Sequence, residues 1–256
     1  VQDRQVGTQQ KLISWKHLSK KLGNFILESE SGELYKNEII GVLGENGIGK
    51  TSFVKVLAGL IKPDSGEIDS EIKVAYKPQY LETASDELVM QYLDDAVQQY
   101  QNQLIKPLDM ERLMMKKLSE LSGGELQKVS IVKCLSEDAE LFLLDEPSAY
   151  LDVEQRLLIS KVIKSLTAER EITVLVVDHD LMFLDYLSDR LAVFTGEPAK
   201  SGLLQGPFDM VEGMNLFLEE LGISLRRDPN SHRPRINKAG SVKDREQRAE
   251  GKLYYN

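Results

Sequence analysis

The 256-residue chain is 41% hydrophobic and 29% charged, a composition typical of a globular protein of one or two domains. The sequence contains no apolar run near the ~20 residues that cross a bilayer and no signal peptide, so membrane insertion is not expected. One cysteine, Cys134, excludes an intramolecular disulfide and a cysteine-built iron–sulfur cluster in this chain, which favours a cytoplasmic location.

The charge is unevenly distributed. The net charge of −9 argues against nucleic-acid binding by the chain as a whole. From residue 223 to the end, nine basic and four acidic residues give +5, and the remainder carries −14. This basic segment could bind a partner that presents phosphate groups, or it could be a solvated end without a partner.

The predicted elements alternate between strand and helix along the chain. Apolar runs predict strands at 11–15, 25–27, 38–43, 74–76, 141–144, 172–177 and 191–194. A helical pattern covers 51–60, and residues 85–117 form an amphipathic helical lobe in which Val89, Leu93, Ala96 and Tyr100 recur at helical spacing. This alternation predicts a parallel α/β sheet. From Arg226 onward, charges and prolines predict an extended or loosely ordered segment.

The most specific local motif is GENGIGKT at residues 44–51, between a predicted strand and a predicted helix. Its glycines let successive main-chain N–H groups face a phosphate at the positive end of the following helix. Lys50 would then reach the β- and γ-phosphates, and the Thr51 hydroxyl would ligate Mg²⁺. A glycine-rich turn without a ligand is the alternative, and the strand–loop–helix context favours phosphate binding.

A second motif is the apolar strand LFLL followed by two carboxylates, Asp145 and Glu146. The strand would bring Asp145 beside the phosphate loop, where it can hold magnesium through the hydration shell of the ion. Glu146, one residue later, would polarise a water for attack on the γ-phosphorus. Acidic residues that only cap a strand are the alternative, and the order of the two motifs favours the catalytic interpretation.

A third motif, LSGGE at residues 121–125, precedes a helical run. By itself it reads as a helix N-cap with a flexible approach. It is also a second anion site that has no lysine or acid to complete it. Such a half-site predicts that a second nucleotide-binding unit brings its own phosphates to this loop.

Taken in order, these motifs resemble those of the ATP-binding-cassette ATPases. The resemblance spans residues 11–212 and adds three elements: Gln79 in YKPQ resembles the family's Q-loop, His179 in VDHD its switch histidine, and Asp152 its D-loop. It implies an α/β fold, with a RecA-like P-loop core, an N-terminal antiparallel β portion and a helical lobe at about 81–135. Residues 1–212 would form the nucleotide-binding domain, and 213–256 a C-terminal hinge tail.

The resemblance also implies ATP and Mg²⁺ as cofactors and assigns the site residues. Catalytic roles are implied for Glu146, His179 and Gln79, and metal contacts for Thr51, Gln79 and Asp145. Nucleotide contacts are implied for Asn46, Gly47, Ile48, Gly49, Lys50, Thr51 and Ser52, and, at the face of a second cassette, for Ser122, Gly123, Gly124, Glu125 and Asp152. For the adenine we expect stacking on Phe25, with Trp15 as the alternative, although the usual family aromatic would fall nearer Leu22.

Several longer stretches resemble the second ATPase unit of the RNase L inhibitor family. These are residues 46–51, 76–79, 121–128, 145–156 and 178–198, together with the segment at 213–247. The resemblance implies ribosome splitting and recycling, with the small ribosomal subunit, release or recycling factors and a second cassette as partners.

The chain departs from that family in two ways. It has neither the N-terminal iron–sulfur domain nor a first ATPase unit, and Glu45 stands where the family usually has proline. We therefore expect the C-terminal half of a twin-cassette protein. The main alternative is an ATPase subunit that energises a membrane transporter. A chromosome-maintenance ATPase is disfavoured because the interval from Gln79 to Ser122 leaves no room for a long coiled coil, and Glu146 and His179 disfavour a non-hydrolysing scaffold.

Overall fold

Ten strands form one mixed sheet in the computed structural model, which describes residues 10–69, 72–79, 86–227 and 234–254. The strands are β1 (Lys11–Leu22), β2 (Phe25–Ser29), β3 (Gly32–Tyr35), β4 (Ile39–Leu43), β5 (Ser65–Asp69), β6 (Val74–Lys77), β7 (Leu141–Asp145), β8 (Thr173–Val177), β9 (Arg190–Glu197) and β10 (Ser201–Asp209). The helices are α1 (Lys50–Leu57), α2 (Val89–Tyr92), α3 (Asp94–Gln99), α4 (Gly123–Leu135), α5 (Val153–Arg170), α6 (Leu181–Leu187), α7 (Met210–Glu220) and α8 (Val242–Glu250). The predicted α/β fold is confirmed.

The centre of the sheet is parallel, with the strand order β6-β7-β8-β4-β9. Its three middle strands are buried along their whole length, because helices or strands cover both faces. Alternate residues of β4 therefore face opposite sides of the sheet. Ile40 and Val42 pack with Phe53 of α1 on one face, while Ile39 and Leu43 belong to the core formed with α4 and α5 on the other. The carboxyl ends of β4, β7 and β8 therefore meet at one edge.

The N-terminal strands are antiparallel, as the resemblance implied: β1 pairs with β2, β3 and β5. Strand β1 is longer than the predicted 11–15, because its buried residues continue to Leu18. Its pairing register shifts once against β3 and once against β5. Strand β10 joins the two portions, antiparallel to β9 and parallel to β2. We did not predict β10, because two glycines and a proline interrupt its pattern.

The lobe before α4 consists of short helical pieces. After α2 and α3 come a π-helical turn at Gln101–Ile105 and 3₁₀ turns at Glu111–Leu113 and Leu118–Glu120. Val89, Leu93 and Ala96 are fully buried, in agreement with the predicted amphipathic pattern. Part of the predicted lobe, residues 81–85, lies outside the described residues. Within the described ranges, no helix combines the length and hydrophobicity of a membrane span.

The predicted loose C-terminal segment is wrong for the residues described. Strands β11 (Leu225–Arg227) and β12 (Pro234–Ile236) pair with each other, and α8 packs beside them through buried polar side chains. Ser224 Oγ donates to Asp244 Oδ1 at 2.6 Å, and Gln247 Nε2 donates to the Leu225 carbonyl at 2.8 Å. Composition misled the prediction because these polar side chains bond to one another instead of to water.

The division between residues 212 and 213 stays a prediction. Helix α7 crosses that point and packs against β9 and β10, and Asn215 on α7 accepts hydrogen bonds from the Leu253 and Tyr254 main-chain nitrogens at 2.8 and 2.9 Å. Residues 228–233 of the predicted tail lie outside the described residues.

Candidate nucleotide site

The loop between β4 and α1 is shaped by glycine and held by a buried lysine. Gly49 adopts φ +101°, and a Cβ there would lie 3.0 Å from the Phe25 ring. Lys50 Nζ donates to the main-chain carbonyls of Gly44 at 2.6 Å and Glu45 at 2.9 Å. Burial lowers the pKa of Lys50, and the nearby carboxylates Glu146 and Asp145 oppose that shift. The lysine thus places a positive charge within the loop that begins α1.

Strand β10 and the turn before it pack closely against the same loop. A Cβ on Gly202 would lie 1.9 Å from the Ile48 carbonyl oxygen, so only glycine allows the two backbones this close. Ala199, in the turn before β10, donates its N–H to the Gly47 carbonyl at 3.0 Å. The Ile48 side chain itself is buried in the core, so any contact of this residue with a nucleotide would come from its main chain. Sequence reasoning missed Ala199 and Gly202, because the strand β10 that positions them was not predicted.

The end of β7 presents oxygen atoms to the start of α1. Thr51 Oγ1 donates to Asp145 Oδ2 at 2.7 Å, and Asp145 Oδ1 is buried with no hydrogen-bond partner among the described residues. Burial raises the pKa of Asp145, and the Thr51 hydrogen bond partly offsets this. A hydroxyl beside a carboxylate with a free oxygen is a donor set that suits Mg²⁺. These residues therefore fit the cation that the resemblance implied.

A buried lysine that sequence reasoning missed lies beneath this carboxylate. Lys77, at the end of β6, is 1% exposed, and its Nζ donates to the carbonyls of Asp145 and Pro78 at 2.9 Å each. Burial lowers its pKa to about 8, against the pull of the Asp145 carboxylate. Lys77 thus ties the strand that carries Asp145 to the segment that leads to Gln79.

Glu146 has an unusual backbone conformation, with φ +49°. Its N–H donates to the Val177 carbonyl at 2.7 Å, and its carbonyl accepts from Gln127 Nε2 at 2.6 Å. His179 Nδ1 lies 3.9 Å from Glu146 Oε1 and 3.8 Å from Asp178 Oδ1, which is too far for a hydrogen bond. Asp178 is fully buried and accepts from the main-chain nitrogen and hydroxyl of Ser148 at 3.0 and 2.8 Å. The imidazole is therefore free to face a ligand.

One cavity of about 720 Å³ joins most of the predicted residues. Its lining consists of Leu22, Phe25, Asn46, Gly47, Gly49, Lys50, Thr51, Ser52, Gln79, Glu146, His179 and Ala199. The fold thus brings Gln79, Glu146 and His179, from three distant segments, to the phosphate loop.

The two candidate aromatics differ in exposure. Phe25 lines the cavity beside Leu22. Trp15 is 2% exposed, packs edge-on against Phe53 at 5.5 Å between ring centroids, and donates its indole N–H to Ser29 Oγ at 2.6 Å. Trp15 is therefore wrong as an adenine contact, because it is a core residue. The stacking role of Phe25 stays a prediction.

The LSGGE segment does not line this cavity. Ser122 caps α4, with its Oγ accepting from the Glu125 N–H at 3.3 Å, and its own N–H donates to Glu125 Oε2 at 2.9 Å. That main-chain bond holds the pKa of Glu125 below its usual range. A Cβ on Gly123 would lie 3.3 Å from the Tyr150 ring, and Asp152 caps α5 by accepting from the Gln155 N–H at 2.8 Å. The two motifs thus meet around Tyr150, which is 73% exposed.

Comparisons with known proteins agree with this geometry. The ABC transporter family model matches residues 27–149. An ABC transporter ATP-binding protein of Methanocaldococcus jannaschii is 51% identical over 95% of the chain and 42% of its own length. Translation initiation factor RLI1 of Saccharomyces cerevisiae is 39% identical over 100% of the chain and 43% of its own length. ABC transporter E family member 3 of Arabidopsis thaliana is 42% identical over 56% of the chain and 85% of its own length.

Solved structures show the same relationship. RNase-L Inhibitor superposes with a TM-score of 0.91 at 49% identity, over 98% of this chain and 50% of that one. A model of ribosome-bound archaeal Pelota and ABCE1 gives a TM-score of 0.94 at 48% identity, over 99% of this chain and 44% of that one. The chain spans about half the length of these proteins. It belongs to the ATP-binding-cassette ATPases, the P-loop enzymes that hydrolyse ATP, and is homologous to RNase L inhibitor and RLI1.

Proposed function

We propose that this chain binds ATP with Mg²⁺ in the cavity around residues 44–51 and hydrolyses it. The observation that carries the proposal is the convergence of Lys50, Asp145, Glu146 and His179 on one loop. Main-chain N–H groups at the start of α1 and the Lys50 ammonium would bind the phosphates. Phe25 would stack on the adenine. Thr51, Asp145 and Gln79 would hold Mg²⁺, which when bound neutralises charge on the phosphate oxygens.

In this site Glu146 is the general base. Its carboxylate side chain is only 16% exposed but faces the cavity, so it can accept the proton of a water that attacks the γ-phosphorus. His179, 56% exposed at the same edge, would hold the γ-phosphate and the water in line. Most of the rate enhancement would come from positioning and charge stabilisation.

The complete site would need a second cassette. The LSGGE segment and Asp152 lie away from the cavity of their own chain, around the exposed Tyr150. Helix α4 begins at this segment, so its N-terminus could bind the phosphates held by another unit. The chain spans 42% of the length of its Methanocaldococcus relative, which supports one part of a longer protein. The proposed C-terminal half of a twin-cassette protein follows from the resemblance to the second ATPase unit.

We further propose that closing and opening of the cassette pair drives ribosome splitting and recycling in the cytoplasm, with the small ribosomal subunit and release or recycling factors as partners. The support is the likeness to RLI1, named a translation initiation factor, and to the ribosome-bound ABCE1. The C-terminal segment adds a basic surface on which the side chains of Arg226 and Lys238 are exposed. Exposed basic side chains favour a partner that carries phosphate.

Sedimentation with ribosomal subunits, with and without a non-hydrolysable ATP analogue, tests this proposal. We expect the protein to co-sediment with the small subunit more strongly with the analogue, and binding to weaken as salt increases. The double variant Arg226→Glu with Lys238→Glu should weaken that binding. The control Lys62→Glu, at an exposed site outside the C-terminal segment, should not. Co-sedimentation that does not depend on nucleotide, or no co-sedimentation at all, would contradict the ribosomal role. ATP hydrolysis is tested separately, by phosphate release.

A further inference from the structure

Gln127 makes a contact with Glu146 that the proposed mechanism does not use. It lies on α4, two residues after the LSGGE segment, and is 1% exposed. Its Nε2 donates to the main-chain carbonyl of Glu146 at 2.6 Å. The bond connects residues 19 positions apart and is partly buried.

Glu146 needs such support because of its backbone. Its φ of +49° lies in the left-handed region, which a residue with a side chain rarely adopts unless neighbouring groups hold it there. Three hydrogen bonds anchor its peptide groups: the N–H donates to the Val177 carbonyl on β8, and the carbonyl accepts from Gln127 at 2.6 Å and, more weakly, from the Ala149 N–H at 3.3 Å. Strand β8 is part of the sheet, whereas Gln127 comes from the helix that packs over it.

The preceding residue shows the same arrangement. The Asp145 carbonyl accepts from the buried Lys77 ammonium at 2.9 Å, so two successive carbonyls are each held by a buried side chain from a different element. A rotation of the Glu146 peptide would break the Gln127 bond and leave a buried amide without an acceptor, which is costly. The Gln127 bond, the shorter of the two that this carbonyl accepts, therefore helps to set the direction of the Glu146 side chain into the cavity.

We propose that Gln127 is a positioning residue for hydrolysis, which holds the main chain of Glu146 so that its carboxylate faces the attacking water. The inference rests on the proposed role of Glu146 as general base. It assigns Gln127 no contact with nucleotide, so ATP binding does not require its amide.

The test compares Gln127→Met, of similar length but without a donor, with Gln127→Glu, of similar shape but with an acceptor facing the carbonyl. For both variants we expect kcat to fall about tenfold or more while KM for ATP stays within twofold. The reason is that the lost hydrogen bond orients Glu146 and does not contact ATP. A double variant, Gln127→Met with Glu146→Gln, should be no slower than Glu146→Gln alone, because both act through one carboxylate.

Gln247→Met is the matched control. Gln247 is also buried and donates Nε2 to a main-chain carbonyl, that of Leu225 at 2.8 Å, but it lies on α8. This variant should lower the unfolding temperature and leave kcat unchanged.

The outcomes separate the two proposals. If Glu146→Gln hydrolyses ATP like wild type, the proposed function fails. If Glu146→Gln is stalled but both Gln127 variants keep wild-type kcat, only the positioning role fails. An additive double variant, or a rise in KM without a change in kcat, would also overturn it, because either result indicates general destabilisation.

Discussion

The hydroxyl of Thr51 and the carboxylate of Asp145 lie 2.7 Å apart, although 94 positions separate the two residues in the chain. The contact joins the first turn of α1 to the end of β7 and leaves Asp145 Oδ1 buried with no hydrogen-bond partner among the described residues. Because burial disfavours the ionised carboxylate more than Thr51 and the nearby lysines favour it, this arrangement is less stable without a cation than with one.

Asp145→Asn should therefore separate stability from metal binding. Burial raises the pKa of Asp145 above its unfolded value, so at neutral pH the ionised carboxylate opposes folding, and this penalty disappears as the pH falls below the unfolded pKa. At pH 7 without metal, we therefore expect the variant to unfold at a higher temperature than wild type. Mg²⁺-ATP should not raise the unfolding temperature of the variant any further, whereas it should raise the unfolding temperature of wild type. A variant stabilised by Mg²⁺-ATP as much as wild type would contradict the metal assignment.

Lys50→Ala should abolish ATP binding. The change removes the ammonium group that would bind the phosphates. It also leaves the Gly44 and Glu45 carbonyls without the hydrogen bonds that Lys50 donates to them. Titration with a fluorescent ATP analogue should show at least a hundredfold weaker affinity, while Lys62→Ala at an exposed site serves as control. Unchanged affinity would remove the phosphate-loop assignment.

Glu146→Gln should keep ATP binding and stall hydrolysis. The amide cannot accept the proton of the attacking water, and general-base catalysis contributes on the order of 10²–10⁴ in rate. Phosphate release should fall by that factor while the nucleotide stays trapped in the closed cassette pair. Glu154→Gln, an exposed glutamate in the first turn of α5, should behave as wild type. Normal turnover of Glu146→Gln would refute the base assignment.

Gly202→Ala should disturb the phosphate loop from a strand that does not line the cavity. The added Cβ would lie 1.9 Å from the Ile48 carbonyl, so β10 and the loop must separate at a cost of about 1–3 kcal/mol. We expect a lower unfolding temperature together with weaker ATP binding. The neighbouring change Ser201→Ala should affect neither. Destabilisation of Gly202→Ala with full ATP affinity would show that β10 does not shape the site.

Asp244→Asn should destabilise the C-terminal unit in a pH-dependent way. Hydrogen bonds from Ser224, the Gly240 main chain and Arg248 lower the pKa of Asp244 to about 2. A lowered pKa stabilises the fold above the unfolded pKa near 3.9, and this contribution is lost as the pH falls towards 2. The unfolding temperatures of wild type and variant should therefore differ at pH 7 and converge near pH 2. A difference that does not depend on pH would indicate lost packing instead of lost charge.

Local and contiguous features could be predicted from the sequence alone. The phosphate loop depends on eight consecutive residues, and Asp145 and Glu146 follow directly from a buried apolar strand, so spacing and composition suffice to identify them. The parallel direction of the central strands could also be predicted, from their alternation with helices, because parallel strands need a crossover connection between them.

Only the tertiary structure decided which distant residues support those motifs. Gly202, Lys77 and Gln127 act on main-chain carbonyls of remote segments, and main-chain contacts leave no residue-specific pattern in either partner. The same reason explains the C-terminal unit, where Ser224 and Asp244 look solvated in the sequence but are buried together. Trp15 and Phe25 are both aromatic residues on early strands, and burial alone assigned one to the core and the other to the cavity.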